Sequence, residues 1–349
     1  MIEVDREKGN RSRVMENNRV RIVDIADELG LSTATVSNVI HGKTQKISDE
    51  TVKRVQQKLE EKNYIPNMAG ILLAQNNSRI IGIVIHDHEK YEGRVLEDGF
   101  IAASLNALAK KVNESGYFLM VKTTKDWNEI PRIASMWNMD GLILIGFCEA
   151  DYRRLRDQMH ISFVVYDGFF EETDKIVNLT IDHYDGGYQA GQYLKETGHK
   201  KAVCIADNFI AVDRERIEGF IRGFEPGNTE ILQIPMARAE RIQFYEDNLD
   251  RIRQYTAVFA VSDYYALDLI HFLQSRGVNV PGDISVIGFD DNIYSAGSIP
   301  PLTTIRQDAD LRAERAVSAL EHMRDGVETE FCVTLPVELV VRDSVRRMK

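Results

Sequence analysis

The chain has 349 residues, with 43 Lys and Arg against 54 Asp and Glu and a formal net charge of −11, and this length suits a small domain joined to a two-lobed body better than one core. No apolar run approaches the roughly 18 residues needed to cross a bilayer, and the polar start MIEVDREKGNRSRVMENN lacks the apolar core of a signal peptide. Cys148, Cys204 and Cys332 lie too far apart for zinc or disulfide spacing, so a cytoplasmic chain with small buried cysteines is expected.

Residues 1–18 read as a polar extension. The next stretch, RIVDIADELGLSTATVSNVIHG from Arg21 to Gly42, predicts two short amphipathic helices joined by a tight turn. Ile22, Ile25, Ala26 and Leu29 fall at i, i+3, i+4 and i+7 and give the first helix one apolar face. Gly30 supplies the backbone freedom to leave that helix sharply. Ser32 is a natural N-cap for the second helix, whose Val36, Val39 and Ile40 turn inward while Thr33, Ala34, Ser37 and Asn38 stay outside. Ser48 caps a third helix with Asp49 and Glu50 in its first turn, where the dipole favours carboxylates, and Val52, Val55 and Leu59 form its buried stripe. Pro66 ends that run. A short apolar segment, Met68 to Ala74, then leads through Gln75-Asn76-Asn77-Ser78 into the strand-like Ile80–Ile85.

The pattern DIA…G.S..TVS.V..G, a capped helix, and Y.PN…..L before a buried strand resembles the DNA-binding head and hinge of the lactose-repressor (LacI/GalR-type) family of transcriptional regulators. The resemblance runs from about Val20 to Asp343. It implies a helix-turn-helix head at 19–66, a hinge helix and linker at 67–79, and an effector-binding and dimerisation domain at 80–345. Family members usually start near Met15, so residues 1–14 are expected to be untranslated or disordered. In the family the second helix enters the major groove with its N-terminal residues at base edges. The matching DNA-binding residues are Ser32, Thr33, Ala34, Thr35, Ser37 and Asn38. Asn38, where many relatives carry arginine, can pair bidentately with adenine, and the Ala34 methyl can touch a thymine methyl; the plainer alternative for Asn38 is a solvated helix position. Leu73 matches the leucine that wedges into the minor groove and kinks the duplex. Gly70 stands where relatives have alanine, at a cost of about 1 kcal/mol in a helix, so the free hinge is expected to rely on DNA for its folding.

Charge is unevenly shared. Residues 1–79 hold 13 Lys and Arg against 11 Asp and Glu, which gives +2 and leaves −13 on the remainder. Binding is therefore expected to rest on placed contacts more than on a basic surface, with moderate salt sensitivity.

The body alternates strand and helix. Buried β-rich runs are Ile80–Ile85, Tyr117–Lys122, Gly141–Ile145, Ser162–Tyr166, Ala202–Ile205, Ala257–Val261 and Ser285–Gly288. Helical patterns at Ile101–Val112, Tyr184–Glu196, Arg216–Phe224, Tyr264–Arg276 and Ala309–Met323 separate them. This is an α/β pattern of parallel sheets covered on both faces, and ligands of such sheets bind beyond the carboxyl ends of strands. By resemblance the body is a two-lobed, doubly wound, periplasmic-binding-protein-like domain.

The same resemblance supplies effector-binding residues. Arg216 in the R-x-x-G-F segment matches a residue that grips ligand hydroxyls in sugar-responsive relatives, and Arg214 stands where sugar-binding proteins also place an arginine. Asp290 in GFDD matches a carboxylate that accepts from vicinal hydroxyls. Asp167 follows the strand ending at Tyr166, and Asp263 follows Ser262 where relatives often read Asn-Asp. Carboxylates with a forked arginine suit a polyol. The structural alternatives are that Asp290 and Asp291 cap a loop and that Asp263 caps a helix starting at Tyr264. Where relatives read P-D-x-x-N-P-F-F, this chain has His86-Asp87-His88 and then EKYEGRVLEDGF. That longer loop keeps an acid at Asp87 and an aromatic ring at Phe100, and is able to reshape the cleft. His86 and His88 alternate to one side but lack third and fourth ligands nearby, so a cleft edge is expected rather than a metal site.

No G-x-G-x-x-G, P-loop, H-E-x-x-H or G-x-S-x-G motif is present, and neither an enzyme nor a cofactor is expected. Without an export signal, a stand-alone sugar-binding module is disfavoured; an architectural DNA binder with a degenerate cleft is the third reading. The expected function is a repressor that binds a near-palindromic operator duplex as a homodimer, governed by a sugar or sugar derivative held between the lobes, with no membrane partner. The chain ends soon after its last strand, without the heptad segment that tetramerises some relatives.

Overall fold

The computed structural model describes residues 20–65, 78–147, 149–159, 161–168, 176–225 and 227–348. The chain divides into two compact units between Asn76 and Asn77. The hinge residues Gly70, Leu72 and Leu73, the N-terminal extension and Cys148 lie outside the described residues.

The first unit contains helices α1 (Ile22–Leu29), α2 (Thr33–Ile40) and α3 (Asp49–Glu61). Ile25, Ala26, Val36, Val39 and Val55 form its core, with Leu29, Ile40, Val52 and Leu59 packed around them. The helix ends are satisfied locally. Asp24 accepts from the Arg21 amide at 2.8 Å, and Ser32 and Ser48 accept from the amides of Thr35 and Thr51. Gly30 leaves α1 in the left-handed conformation, φ 66°, as the turn requires. Lys62 reaches Glu28 at 2.6 Å and Arg54 donates to the Leu29 carbonyl, so α3 is fastened to the end of α1.

The second unit is built on two six-stranded sheets. In chain order its strands are β1 (Ile80–His86), β2 (Phe118–Thr124), β3 (Gly141–Ile145), β4 (Phe163–Tyr166), β5 (Ile176–Ile181), β6 (Ala202–Ala206), β7 (Thr229–Gln233), β8 (Ala257–Ala260), β9 (Ser285–Asp290), β10 (Thr303–Gln307), β11 (Cys332–Leu335) and β12 (Val337–Val340). The larger helices are α4 (Gly99–Glu114), α5 (Glu129–Met136), α6 (Glu149–Gln158), α7 (His183–Glu196), α8 (Ala211–Phe224), α9 (Arg238–Asp247), α10 (Asp263–Ser275) and α11 (Ala309–Asp325). The first lobe orders its strands β11-β5-β4-β3-β1-β2 and the second β12-β10-β9-β8-β6-β7. Pairing is parallel except between β10 and β12. Strands β3, β4, β6 and β8 are buried along their whole length, as strands covered on both faces must be.

The sequence pattern missed β5, β7, β10, β11 and β12 and helices α5, α6 and α9. Strands β7, β11 and β12 carry exposed polar positions and do not read as apolar runs. Helix α8 starts at Ala211 rather than Arg216, because its first turn, AVDRE, has no side-chain cap to announce it. Cys204 is buried as expected, whereas Cys332 is exposed on the edge strand β11.

The chain crosses between lobes at Asp182, Asp308 and Pro336, the residues between β5 and α7, β10 and α11, and β11 and β12. Two of these crossings double as helix caps: Asp182 accepts from the Asp185 amide and Asp308 from the Leu311 amide. The Asp182 amide also donates to the Leu335 carbonyl, 2.9 Å away, which ties two crossings together.

Helices α7 and α8 of the second lobe meet backbone to backbone through paired glycines. A Cβ on Gly187 would lie 2.0 Å from the Arg216 carbonyl oxygen, and one on Gly219 2.0 Å from that of Tyr184. Gly191 and Gly223 repeat the arrangement one turn along, at 2.3 Å from the Phe220 and 2.2 Å from the Tyr188 carbonyl oxygen. Because backbone cannot rotate away as a side chain can, Gly219→Ala is expected to lower unfolding stability by about 1–3 kcal/mol, measured by urea denaturation; an unchanged midpoint would contradict this contact.

Candidate functional site

On the first unit, Thr33, Ala34 and Asn38 are exposed on one face of α2, and Thr35 and Ser37 are half-buried. Ser32 is exposed, but its hydroxyl is engaged with the Thr35 hydroxyl at 2.9 Å and with the Thr35 amide at 3.1 Å. The pair therefore shapes the helix start, while Thr33, Ala34 and Asn38 present free surface. Leu73 lies outside the described residues.

In the second unit a cavity of about 420 Å³ lies between the lobes. Its lining follows the carboxyl ends of the strands: His86 from β1, Gly146 and Phe147 from β3, Asp167 from β4, Asp207 from β6, Ser262 from β8, Asp290 from β9 and Gln307 from β10. Helix α8 adds Asp213 and Arg216, and the β1–α4 segment adds His88, Lys90, Tyr91, Asp98 and Phe100. Both Asp167, φ 58°, and Asp290, φ 131°, occupy backbone conformations rare outside glycine. Such geometry costs on the order of 1–3 kcal/mol per residue and persists only where the surroundings impose it.

What imposes it is a closed ring of polar contacts along the cavity floor. Arg312 of α11 donates from Nη2 to Asp167 Oδ1 at 2.6 Å and from Nη1 to Gln307 Oε1 at 3.1 Å. Gln307 donates from Nε2 to Asp290 Oδ1 at 2.8 Å, and Asp290 lies 3.8 Å from Arg216 Nη1. Arg216 Nε donates to His183 Nδ1 at 3.1 Å, and His183 Nε2 meets Asp167 Oδ1 at 3.0 Å. The arginine fixes the imidazole: Nδ1 accepts, so Nε2 carries the proton and donates to Asp167. Each guanidinium also covers an aromatic face, Arg216 that of Phe289 at 3.8 Å and Arg312 that of Tyr166 at 4.1 Å.

The ring sorts the charges. Burial opposes ionisation of Asp167, but Arg312 and His183 outweigh it and hold the carboxyl well below its ordinary range. Burial, with the two arginines adding to it against the pull of Asp167, lowers His183 to about 4, so the imidazole is neutral. Asp290 is pushed well up by burial and by Asp263 and Asp98, although Arg216 opposes this. Asp213 rises to about 6, through burial first and then the neighbouring Asp207, with Arg216 and Lys90 working against it.

The remaining expected residues stand elsewhere. Arg214, between the cavity-lining Asp213 and Arg216, is exposed and turned to Glu218 at 3.9 Å. Asp87 is half-buried near Lys125 and does not line the cavity. Asp263 lies beneath the lining, fully buried, where it accepts from the hydroxyls of Ser295 and Thr304 and the amide of Asn292. It fastens the loop after β9; the cap of α10 is Ser262, and the helix begins at Asp263 rather than Tyr264. His86 and His88 both line the cavity, with His86 stacked on Phe147 and bonded to the Gly146 carbonyl. Among the described residues no three His, Cys, Asp or Glu side chains are grouped to hold a metal ion.

Sequence reasoning passed over His183, Asp207, Asp213, Gln307, Arg312 and Lys90. Asp207 follows a buried strand in the same way as Asp167 and was open to the same rule; nothing local marks Arg312, which reaches the cavity floor from a helix of the first lobe.

Comparison with known proteins matches residues 21–67 to the bacterial regulatory proteins of the lacI family and residues 192–345 to a periplasmic binding protein-like domain. The HTH-type transcriptional repressor PurR of Vibrio vulnificus is 30% identical over 351 residues, covering 94% of this chain and 99% of that one. A lac repressor dimer bound to operator and the anti-inducer ONPF superposes with a TM-score of 0.79 at 24% identity, over 94% of this chain and 100% of that one. A transcriptional regulator CelR–cellobiose complex gives 0.66 at 22% identity, over 93% and 100%. Among the described residues no helix is long and apolar enough to cross a membrane.

The neutral state of His183 has a measurable consequence. Between its ordinary value of 6.5 and about 4 the unfolded chain takes up a proton that the folded chain refuses. The stability due to neutral His183 is thus full above pH 6.5 and lost as pH falls towards 4. The stability gap between wild type and His183→Gln should shrink as urea titrations move from pH 7 to 4.5; a constant gap would mean that His183 does not titrate in this window.

Proposed function

The chain belongs to the lacI family of bacterial regulatory proteins, which are regulators and not enzymes, and from that premise we propose a repressor that grips a near-palindromic operator as a homodimer and is governed by a hydroxyl-rich effector, a sugar or sugar derivative, in the interlobe cavity. The polar ring on the cavity floor carries this reading. It joins side chains from both lobes at the crossings, so a ligand bound there has different contacts in open and closed arrangements. Only such differential affinity can shift a conformational equilibrium. The coupling is reciprocal: operator DNA changes effector affinity by the factor with which effector changes operator affinity.

The effector class follows from the lining. Asp213 and Asp290 offer acceptors, Arg216 and Lys90 donors, and Tyr91, Phe100 and Phe147 apolar faces. A sugar ring presents hydroxyls that both donate and accept around an apolar C–H surface, which matches that mixture. The cellobiose complex of the structurally similar CelR regulator supports the same class. Arg216, Asp167, Asp290 and Phe100 are assigned to the effector, and Thr33, Ala34 and Asn38, with Leu73 as the minor-groove wedge, to the operator.

Selection from a randomised duplex pool, with and without a panel of sugars, tests the whole reading; a full-length protein that enriches no duplex under any condition would falsify it. Within the selected operator, Asn38→Ala should lose about 1–3 kcal/mol and relax preference at one base pair of each half-site, read by fluorescence anisotropy on operator variants. Uniform weakening across all variants would instead mean that Asn38 touches only phosphate.

A further inference from the structure

The segment between β1 and α4 does more than border the cavity. It lies in the first lobe, yet it is fastened to the second. The Lys90 carbonyl accepts from the Tyr264 hydroxyl at 3.3 Å, and Glu92 accepts from the Arg238 amide at 3.0 Å. At its end Gly99 sits so close to Asn292 of the second lobe that a Cβ would lie 2.6 Å from Asn292 Cγ. The anchors on the far side are firm. Arg238 and Arg241 hold Asp268 at 3.0 and 2.8 Å, and Arg241, fully buried, donates to the Tyr264 hydroxyl. Residues 88–98 therefore form a strap across the cleft.

This strap carries Lys90 into the cavity. Asp98 of its own lobe and Asp207, Asp213 and Asp290 of the other share that space. Among the described residues no carboxylate comes within the 4.0 Å of an ion pair with Lys90. Burial disfavours the ammonium, yet Tyr91, Tyr265, Asp207 and Asp213 together hold its pKa well above the ordinary value, so it stays charged. Asp98, Asp213 and Asp290 each have one oxygen accepting from the protein, and among the described residues no hydrogen bond to the other oxygen is formed. The Tyr265 hydroxyl is buried beside them and interacts with Asp207. With Asp167 taken up by Arg312 and Asp290 pushed towards its neutral acid, Asp98, Asp207 and Asp213 still outnumber the two cations Lys90 and Arg216.

We propose that Lys90 sets the charge class of the effector: from its strap it completes a donor-poor, net-negative bay that admits hydroxyl-rich compounds without an anionic group and rejects their phosphorylated or carboxylated counterparts. The inference rests on the reading of this cleft as the effector site. A hydroxyl placed between Lys90 and a carboxylate accepts from the first and donates to the second, which fills a gap too wide for a direct ion pair. Phosphate and carboxylate offer only acceptors and add negative charge to a bay already in excess. Because three of the four carboxylates belong to the second lobe, the same ammonium draws the strap down on the cleft.

Two measurements on the full-length protein test this. In hydrogen–deuterium exchange of the ligand-free protein, the amides of residues 89–97 should exchange several-fold faster in Lys90→Met than in wild type, with Lys90→Arg restoring slow exchange; unchanged rates in Lys90→Met would overturn the tether. In calorimetry, neutral pentoses, hexoses and disaccharides are each paired with a phosphate or uronate. A neutral sugar that binds while its anionic partner does not, with affinity falling about ten-fold or more in Lys90→Met, supports the assignment. Tighter binding of the anionic partner, or unaltered affinity in Lys90→Met, overturns it. A panel without any binder would count against the sugar reading of the cleft, and the exchange comparison then decides Lys90 alone.

Discussion

The second unit depends on how two buried arginines are held by four side-chain acceptors, two for each. Arg312 and Arg216 approach the cavity floor from helices of different lobes, and Asp167, His183 and Asp290 with Gln307 link them into one circuit. A buried guanidinium or carboxylate left without partners is strongly destabilising, whereas the circuit gives each charged side chain an opposite partner or an acceptor, although Arg312 Nε finds none among the described residues. This constraint explains the neutral imidazole, the strongly acidic Asp167 and the strained backbone at two carboxylates. It also explains why these residues sit where the lobes join: His183 directly follows the crossing at Asp182, and Gln307 directly precedes the crossing at Asp308.

Much of this was legible in the linear chain, and the reasons differ by region. The head was fully readable because its signals are local. A serine cap, an apolar 3–4 spacing and a turn glycine each act within one helical turn, and α1, α2 and α3 lie where those signals put them. Central strands such as β3, β4, β6 and β8 were readable because burial on both faces leaves them uniformly apolar, whereas β5 and β10, also interior, were not, because Asn178, Thr180, Thr303, Thr304 and Arg306 interrupt their apolar runs. Edge strands such as β7 and β11 were not, since one side meets solvent and the composition follows.

The cavity was legible only in part, for a physical reason. Residues at or just beyond strand ends, Asp290 and Asp167 among them, lie where an α/β sheet places its ligands, and the family resemblance pointed to both. Arg214 and Arg216 look equivalent in sequence, and only the helical phase separates them: two positions apart on α8, one faces water and the other is buried against Phe289. Asp263 misled differently. Its match to the Asn-Asp of relatives suggested ligand contact, but two hydroxyls and an amide already occupy its oxygens, so it supports the loop that follows Asp290 without reaching the cavity. Arg312 had no local signature because its role comes from a chain that leaves one lobe and returns to the other.

The placement of the crossings has a geometric corollary. Asp182, Asp308 and Pro336 act as a fulcrum, and the circuit of polar contacts lies against that fulcrum, where any swing of one lobe produces the least travel. The strap of residues 88–98 joins the lobes separately, through Lys90, Glu92 and Gly99 rather than through the crossings. A rotation too small to disturb Arg312 or His183 would still carry Glu92 away from Arg238 and Gly99 away from Asn292. Travel in any rotation about that pivot would grow with distance from it, so the strap and the Lys90 it carries would travel further than the circuit, and a ligand touching both would hold them at one separation.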